Sequence, residues 1–212
     1  MGSNYTLKLL PPSDKRWVSF INSRPGSNIF HHPRWIELLA DCYRYQPQVF
    51  ALFSSNGKIS AGLPIMKVES LFTGKRWVSL PFSDHCQPLC LNNDSLISLT
   101  EEICAFCRQQ KNRKILLRWN YPSHPKINLY CHHVLHIIKL YHPHELVIYY
   151  DIQRKTRHYI RYAERMQLDI DIGKSNEHIQ KYYQLQVLTR QRHGLPVQPK
   201  RFFALLRKKI LV

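Results

Sequence analysis

Residues 78–90 read VSLPFSDHCQPLC, and there Ser83, Asp84, His85 and Cys86 place a hydroxyl, a carboxylate, an imidazole and a thiol in succession at the end of an apolar run. A strand that only fills a core has no use for four such groups, because burying them costs free energy unless each finds a partner. The stretch is therefore either a polar turn or a site. As a site it offers proton transfer: Asp84 or His85 at a strand end can act as a general base. As a turn it offers less, with Asp84 satisfying local N–H groups and His85 pointing at solvent. Cys86 could be a nucleophile, but no activating base stands at a telling spacing, and a buried small thiol is the favoured reading.

The second concentration of chemistry is cationic. Thirty-one Lys and Arg against fourteen Asp and Glu give a formal net charge of +17, which favours polyanionic partners: RNA, an anionic membrane face or a nucleotide-bearing substrate. Residues 1–150 hold 17 basic and 9 acidic side chains and residues 151–212 hold 14 and 5, so the last third is the more densely charged. In KTRHYIRYAER (155–165), Arg157 and Arg161 share a helix face and, with Lys155 and His158, can hold a phosphate. Arg190 and Arg192 end a second helical pattern, where cations also offset the helix dipole. A solvated basic face is the plain competitor in both places. His31 and His32 precede a helix whose N-terminus is an anion seat, while Trp35 and Phe82 suit a core.

No run approaches the roughly 18 apolar residues of a membrane span, and the opening residues lack the apolar core of a secretory signal. The expectation is a cytoplasmic chain, at most peripheral at the inner face of the membrane, with its six cysteines (42, 86, 90, 104, 107 and 131) reduced. Cys104-x-x-Cys107 behind Cys86-x-x-x-Cys90 sketches a zinc clip, but Cys104 and Cys107 fall on the apolar face of a helical pattern and read as core. No metal is assigned.

These groups must be positioned by a series of elements. After a polar start, PRWIELLADCYRY opens with Pro33 in a first turn and repeats apolar residues on one helical face. QVFALFS and KISAGLPIMKVE flank Asn56-Gly57, a hairpin signal, with Gly62 and Pro64 suggesting a bulge. KRWVSLPF is a third strand that delivers the polar tetrad to its end, and QPLCL is a short one. Asn93 or Asp94 caps a helix to Gln110, and KILLRW follows as a strand. HVLHIIKL and ELVIYY read as strands, KTRHYIRYAER as a helix and LDIDI as a strand. SNEHIQKYYQLQVLTRQRH reads as a long helix stopped by Gly194 and Pro196, and PKRFFALLRKK as the last helix. The order is α+β, with helices covering an open, mainly antiparallel sheet. The closing third resembles the start of a second unit with no sheet to cover Phe202, Phe203 and Leu206, so the chain reads as a truncation.

FHHPRWIELL, GLPIM, VSLPFSDHCQPL, KTRHYIRYAER and LTRQRHGLPVQPKRFFALL, in that order, resemble the FemAB-like branch of the GNAT-related acyltransferases of peptidoglycan-bridge and exopolysaccharide pathways. The likeness covers roughly residues 28–92 and 148–207. It implies a GNAT-like lobe over residues 1–146 and the incomplete start of a second over 147–212. It implies transfer of an acyl or aminoacyl group from acyl-CoA or aminoacyl-tRNA to an amine of a cell-envelope precursor or sugar, with no permanently bound cofactor. Asp84 and His85 are then the catalytic candidates, and His32, Trp35, Ser83, Arg157, Arg161, Arg190 and Arg192 the substrate-binding ones. The chain departs from the pattern in lacking the rest of the second lobe and the Gly-rich turn that presents N–H groups to the CoA pyrophosphate. The alternative is a non-catalytic basic remnant, a binding module for RNA or an anionic membrane surface.

Overall fold

The hairpin that Asn56-Gly57 predicts is the centre of the sheet. In the computed structural model, which describes residues 5–70, 74–83, 86–109, 114–119, 121, 124–128 and 149–211, β2 (Gln46–Ser54) and β3 (Ile59–Ser70) pair antiparallel. Gly57 takes the positive φ of 74° that the turn requires. The sheet is mainly antiparallel, ordered β1-β2-β3-β4-β6, with β4 spanning Gly74–Val78, β6 spanning Lys114–Leu116 and β5 (Leu89–Cys90) pairing with β3. Its parallel step joins β4 to β6 across α3 (Asn93–Gln109).

Side-chain alternation divides the core between the two faces of this sheet. Phe50 and Leu52 of β2 join Ala61, Leu63 and Ile65 of β3, together with Ile36, Leu38 and Leu39 of α2 (Pro33–Tyr43), in the larger cluster. Val49, Ala51 and Phe53 face the other way, onto Trp17, Phe20, Ile21 and Ile59. Ile59 and Ala61 are two apart yet lie on opposite faces because the register shifts between them. The bulge therefore falls at Ser60, where the strand's carbonyl accepts the Leu91 N–H, and not at Gly62 or Pro64, which stay in register. Gly62 instead makes room for an aromatic ring, since a Cβ there would stand 2.5 Å from the Trp17 side chain and 3.2 Å from the Phe50 carbonyl.

The N-terminal stretch read as a polar start is structured. β1 (Tyr5–Leu10) pairs antiparallel with β2, and α1 (Lys15–Asn22) lays Trp17, Phe20 and Ile21 on the second face of the sheet. Asp14 caps α1, its carboxylate accepting the Arg16 N–H at 2.9 Å and pairing with the Arg16 guanidinium at 2.7 Å. The cap of α3 is Asn92, ahead of the expected Asn93 or Asp94: Asn92 Oδ1 accepts the Ser95 N–H at 2.9 Å, and the Ser95 hydroxyl accepts the Asn92 N–H in return.

By contact the chain forms two compact units, residues 1–129 with 179–212, and residues 130–178. The second contains α4 (Arg154–Arg165), as the sequence predicts, with no buried residue. LDIDI is not a strand: Leu168, Ile170 and Ile172 are exposed and pair with nothing in the sheet, because alternation alone supplies no partner. The strands expected over 133–140 and 145–150 lie outside the described residues except for Tyr149 and Tyr150, which are helical. α5 (Asn176–Arg192) ends as its sequence predicts. Gly194 is at φ 61°, Leu195 N–H donates to Arg190 O, and Gly194 N–H donates to Gln191 O. α6 (Lys200–Lys209) then packs on α2. Phe202 and Phe203, expected to find no cover, are buried: Phe202 stands edge-on to Trp35 and Phe203 edge-on to Tyr183. Among the described residues, no helix is long and apolar enough to cross a membrane.

Candidate functional site

At the end of β4 the chain leaves the sheet and is brought back to the same place. Ser79 N–H donates to Leu116 O at 2.9 Å, Arg118 N–H donates to Ser79 Oγ at 2.7 Å, and Cys86 N–H donates to Arg118 O at 3.1 Å. The segment following β6 thus holds both ends of an excursion over residues 80–85. Leu80 and Phe82, either side of Pro81, sit at φ 46° and 58°. That region costs an L-residue about 1–2 kcal/mol, and such strain persists only where surrounding structure imposes it.

The return is anchored again one residue later. Gln87 O accepts from His31 Nε2 at 2.8 Å, and Gln87 Nε2 donates to Gly26 O at 3.0 Å. His31 Nδ1 accepts the Asn28 N–H, which puts the proton on Nε2 and commits both nitrogens of a fully buried ring to structure. The sequence singled out its neighbour. His32 is the exposed N-cap of α2, with Nδ1 accepting the Arg34 N–H at 3.2 Å.

Two of the expected substrate-binding residues meet. Trp35 Nε1–H donates to Ser83 Oγ at 3.1 Å, and Ser83 is almost wholly buried. Trp35 is itself held edge-on between Phe30 and Phe202. Phe82 is not a core residue: it is 48% exposed and stacks at 4.3 Å on Tyr43, which stacks in turn on Tyr45. Residues 82 and 83 therefore lie along α2, Ser83 sunk against Trp35 and Phe82 turned out. Asp84 and His85 lie outside the described residues.

Burial governs the nearby acids. It pushes the Tyr43 phenol and the Cys86 thiol far above their ordinary values, and the Cys90 thiol up to about 12. Cys86 is a packed apolar thiol, in line with its sequence reading. Cys104 and Cys107 are half-buried with thiols raised by desolvation, and among the described residues no three His, Cys, Asp or Glu side chains are grouped to hold a metal.

The four arginine candidates stand on two helices, α4 and α5. Arg157 donates Nη1 to the carbonyls of Tyr150 (2.7 Å) and Ile152 (2.5 Å), so its guanidinium is engaged with its own backbone. Arg161 is exposed one turn on. Arg190 is half-buried and Arg192 exposed; two residues apart on a helix, they do not share a face. A Ser–His–Asp set that the sequence gives no hint of straddles the start of α5. His178 Nδ1 meets Ser175 Oγ at 2.5 Å and Nε2 meets Asp171 Oδ1 at 3.0 Å. Ser175 Oγ also accepts the His178 N–H, which makes the set an exposed helix cap. No family model matches the chain, and no curated protein matches it.

Proposed function

We propose that the chain carries a GNAT-like lobe of a FemAB-like N-acyl- or aminoacyltransferase. It passes an acyl group from acyl-CoA or aminoacyl-tRNA to the amine of a cell-envelope precursor or sugar. The observation that carries this reading is the excursion 80–85, gripped at Ser79 and Cys86 and strained at Leu80 and Phe82. Residues 80–83 are thereby held at the carboxyl end of a parallel strand pair, where open sheets with parallel strands bind ligands. A mixed, mainly antiparallel sheet flanked by helices supports the same reading.

In this scheme the acceptor nitrogen attacks the thioester or ester carbonyl. Its proton passes to Asp84 or His85, and the tetrahedral intermediate collapses by expelling the CoA sulfur or the tRNA ribose oxygen. Ser83 does not react: its hydroxyl is committed to Trp35, and both act as positioning residues. Cys86, buried and with its thiol pushed upward, forms no acyl intermediate.

The test is transfer of label from acetyl-CoA or alanyl-tRNA to an amino sugar or peptidoglycan precursor by the chain, by Asp84→Asn and by His85→Gln. Loss of about 10²–10⁴-fold in the rate with one of the two substitutions identifies the base. Transfer unaffected by both removes the excursion from the chemistry, and no transfer by the unaltered chain with any donor removes the reading.

A further inference from the structure

Helix α4 has two faces and buries neither. At 100° per residue, Arg154, Arg157, His158, Arg161 and Arg165 fall on one side, with Glu164 at its edge. Tyr159, Ile160, Ala163 and Met166 fall on the other, with Tyr162 at its edge and Lys155 its sole charge. The second side is open: Tyr159 is 58% exposed, Tyr162 52% and Met166 55%, and the chain beyond continues with exposed Leu168, Ile170 and Ile172. Twelve residues with five Lys and Arg and one acid make the helix strongly cationic.

We propose that α4 is a docking helix for an anionic phospholipid surface. It would lie in the plane of the membrane, its tyrosines and Met166 at the level of the headgroups and acyl boundary and its arginines against the phosphates. Segregation of the two side-chain types is the deciding feature. A single-stranded nucleic acid is held by aromatic rings and cations converging on one groove, the rings stacking on bases while the cations track the backbone. An interfacial helix needs them apart, apolar atoms down and cations alongside and above, and its aromatic residues are those that prefer the boundary. Charge sets the lipid: phosphatidylcholine carries no net charge, whereas phosphatidylglycerol or phosphatidylserine complements the helix. Arg157 is partly withdrawn by its bonds to the Tyr150 and Ile152 carbonyls, which leaves Arg154, Arg161 and Arg165 as the principal phosphate contacts.

The experiment is co-sedimentation of the full chain with phosphatidylcholine vesicles, with and without phosphatidylglycerol, at about 0.15 M salt. Two variants confined to exposed positions are used, Tyr159→Ser/Tyr162→Ser and Arg161→Gln/Arg165→Gln, each checked for unchanged circular dichroism. Binding is expected only with phosphatidylglycerol. The arginine pair should weaken it about thirtyfold, and the tyrosine pair about tenfold or more, still measurable at low salt. Vesicle binding that ignores the tyrosine pair reports the overall positive charge alone and overturns the proposal. So does failure to bind anionic vesicles, and so does a single-stranded oligonucleotide that displaces the chain from vesicles at lower concentration than it binds them.

Discussion

The hydrogen bond from Trp35 to Ser83 ties the excursion to α2 through one hydroxyl. Ser83→Ala leaves the indole N–H without its acceptor, and urea unfolding should show a loss of about 1–3 kcal/mol. Phe82→Gly acts in the opposite sense on two terms. It relieves a left-handed residue, worth about 1–2 kcal/mol, and removes a stack on Tyr43 worth about 0.5–1.5 kcal/mol. Stability should move by at most about 1.5 kcal/mol, so a fall in the proposed transfer by this variant would report the lost side chain and not unfolding. The thiols give a further test. With Cys86 buried and Cys90 pushed up to about 12, iodoacetamide at pH 8 should modify both at least about a hundredfold more slowly than free cysteine. Rapid labelling of Cys86 in the folded chain would restore it as a candidate nucleophile. Asp14 supplies the acid-side prediction. Its hydrogen bond from the Arg16 side chain holds the carboxyl below its ordinary value. The folded value is thus the lower one, and the contribution is complete above about 3.9 and fades as pH falls through the folded value. Asp14→Ala should cost about 1 kcal/mol at neutral pH and progressively less in acid.

Elements with their own local signals are legible in the sequence: Pro33 before the 3.6-residue pattern of α2, Asn56-Gly57 between two alternating runs, Gly194 after α5. The failures have a common physical cause. β1 is a strand because β2 is beside it, and LDIDI is not one because no strand among the described residues pairs with it, although the second alternates as cleanly as the first. α1 has a readable signature, Asp14 as cap with Trp17, Phe20 and Ile21 at i, i+3 and i+4, but it is short and set within a polar segment that masks it. Gly62 reads as a bulge because the pattern of a strand cannot reveal what packs on it; here it is the Trp17 ring. Gly62→Ala should therefore cost about 1–3 kcal/mol through overpacking, and Trp17→Phe in the same chain should recover part of that loss. Of the candidate site, the polar tetrad is visible as an excess of chemistry at a strand end. Its clamps are not: Ser79 to Arg118 and His31 to Gln87 join residues 39 and 56 positions apart, and no local pattern encodes them.

On the scale of the molecule, the last helix is part of the first unit. Phe202 and Phe203 are almost fully buried, and Lys209 pairs with Asp41 of α2 at 2.8 Å. Phe202→Ala should lower stability by about 3 kcal/mol, measured by urea unfolding, and loosen the Trp35 indole from its edge-on neighbour. The net charge of +17 belongs to this scale too, since it draws the chain toward polyanions of any kind and leaves selection among them to local geometry. Local geometry at the end of β4 has an evolutionary consequence. Ser79 and Cys86 are joined to the sheet through the same short stretch, Leu116 and Arg118, so whatever is spliced between them inherits the same two footholds. A lineage can vary the outward-turned Phe82 while Leu80 and Ser83 stay packed and every strand keeps its neighbour.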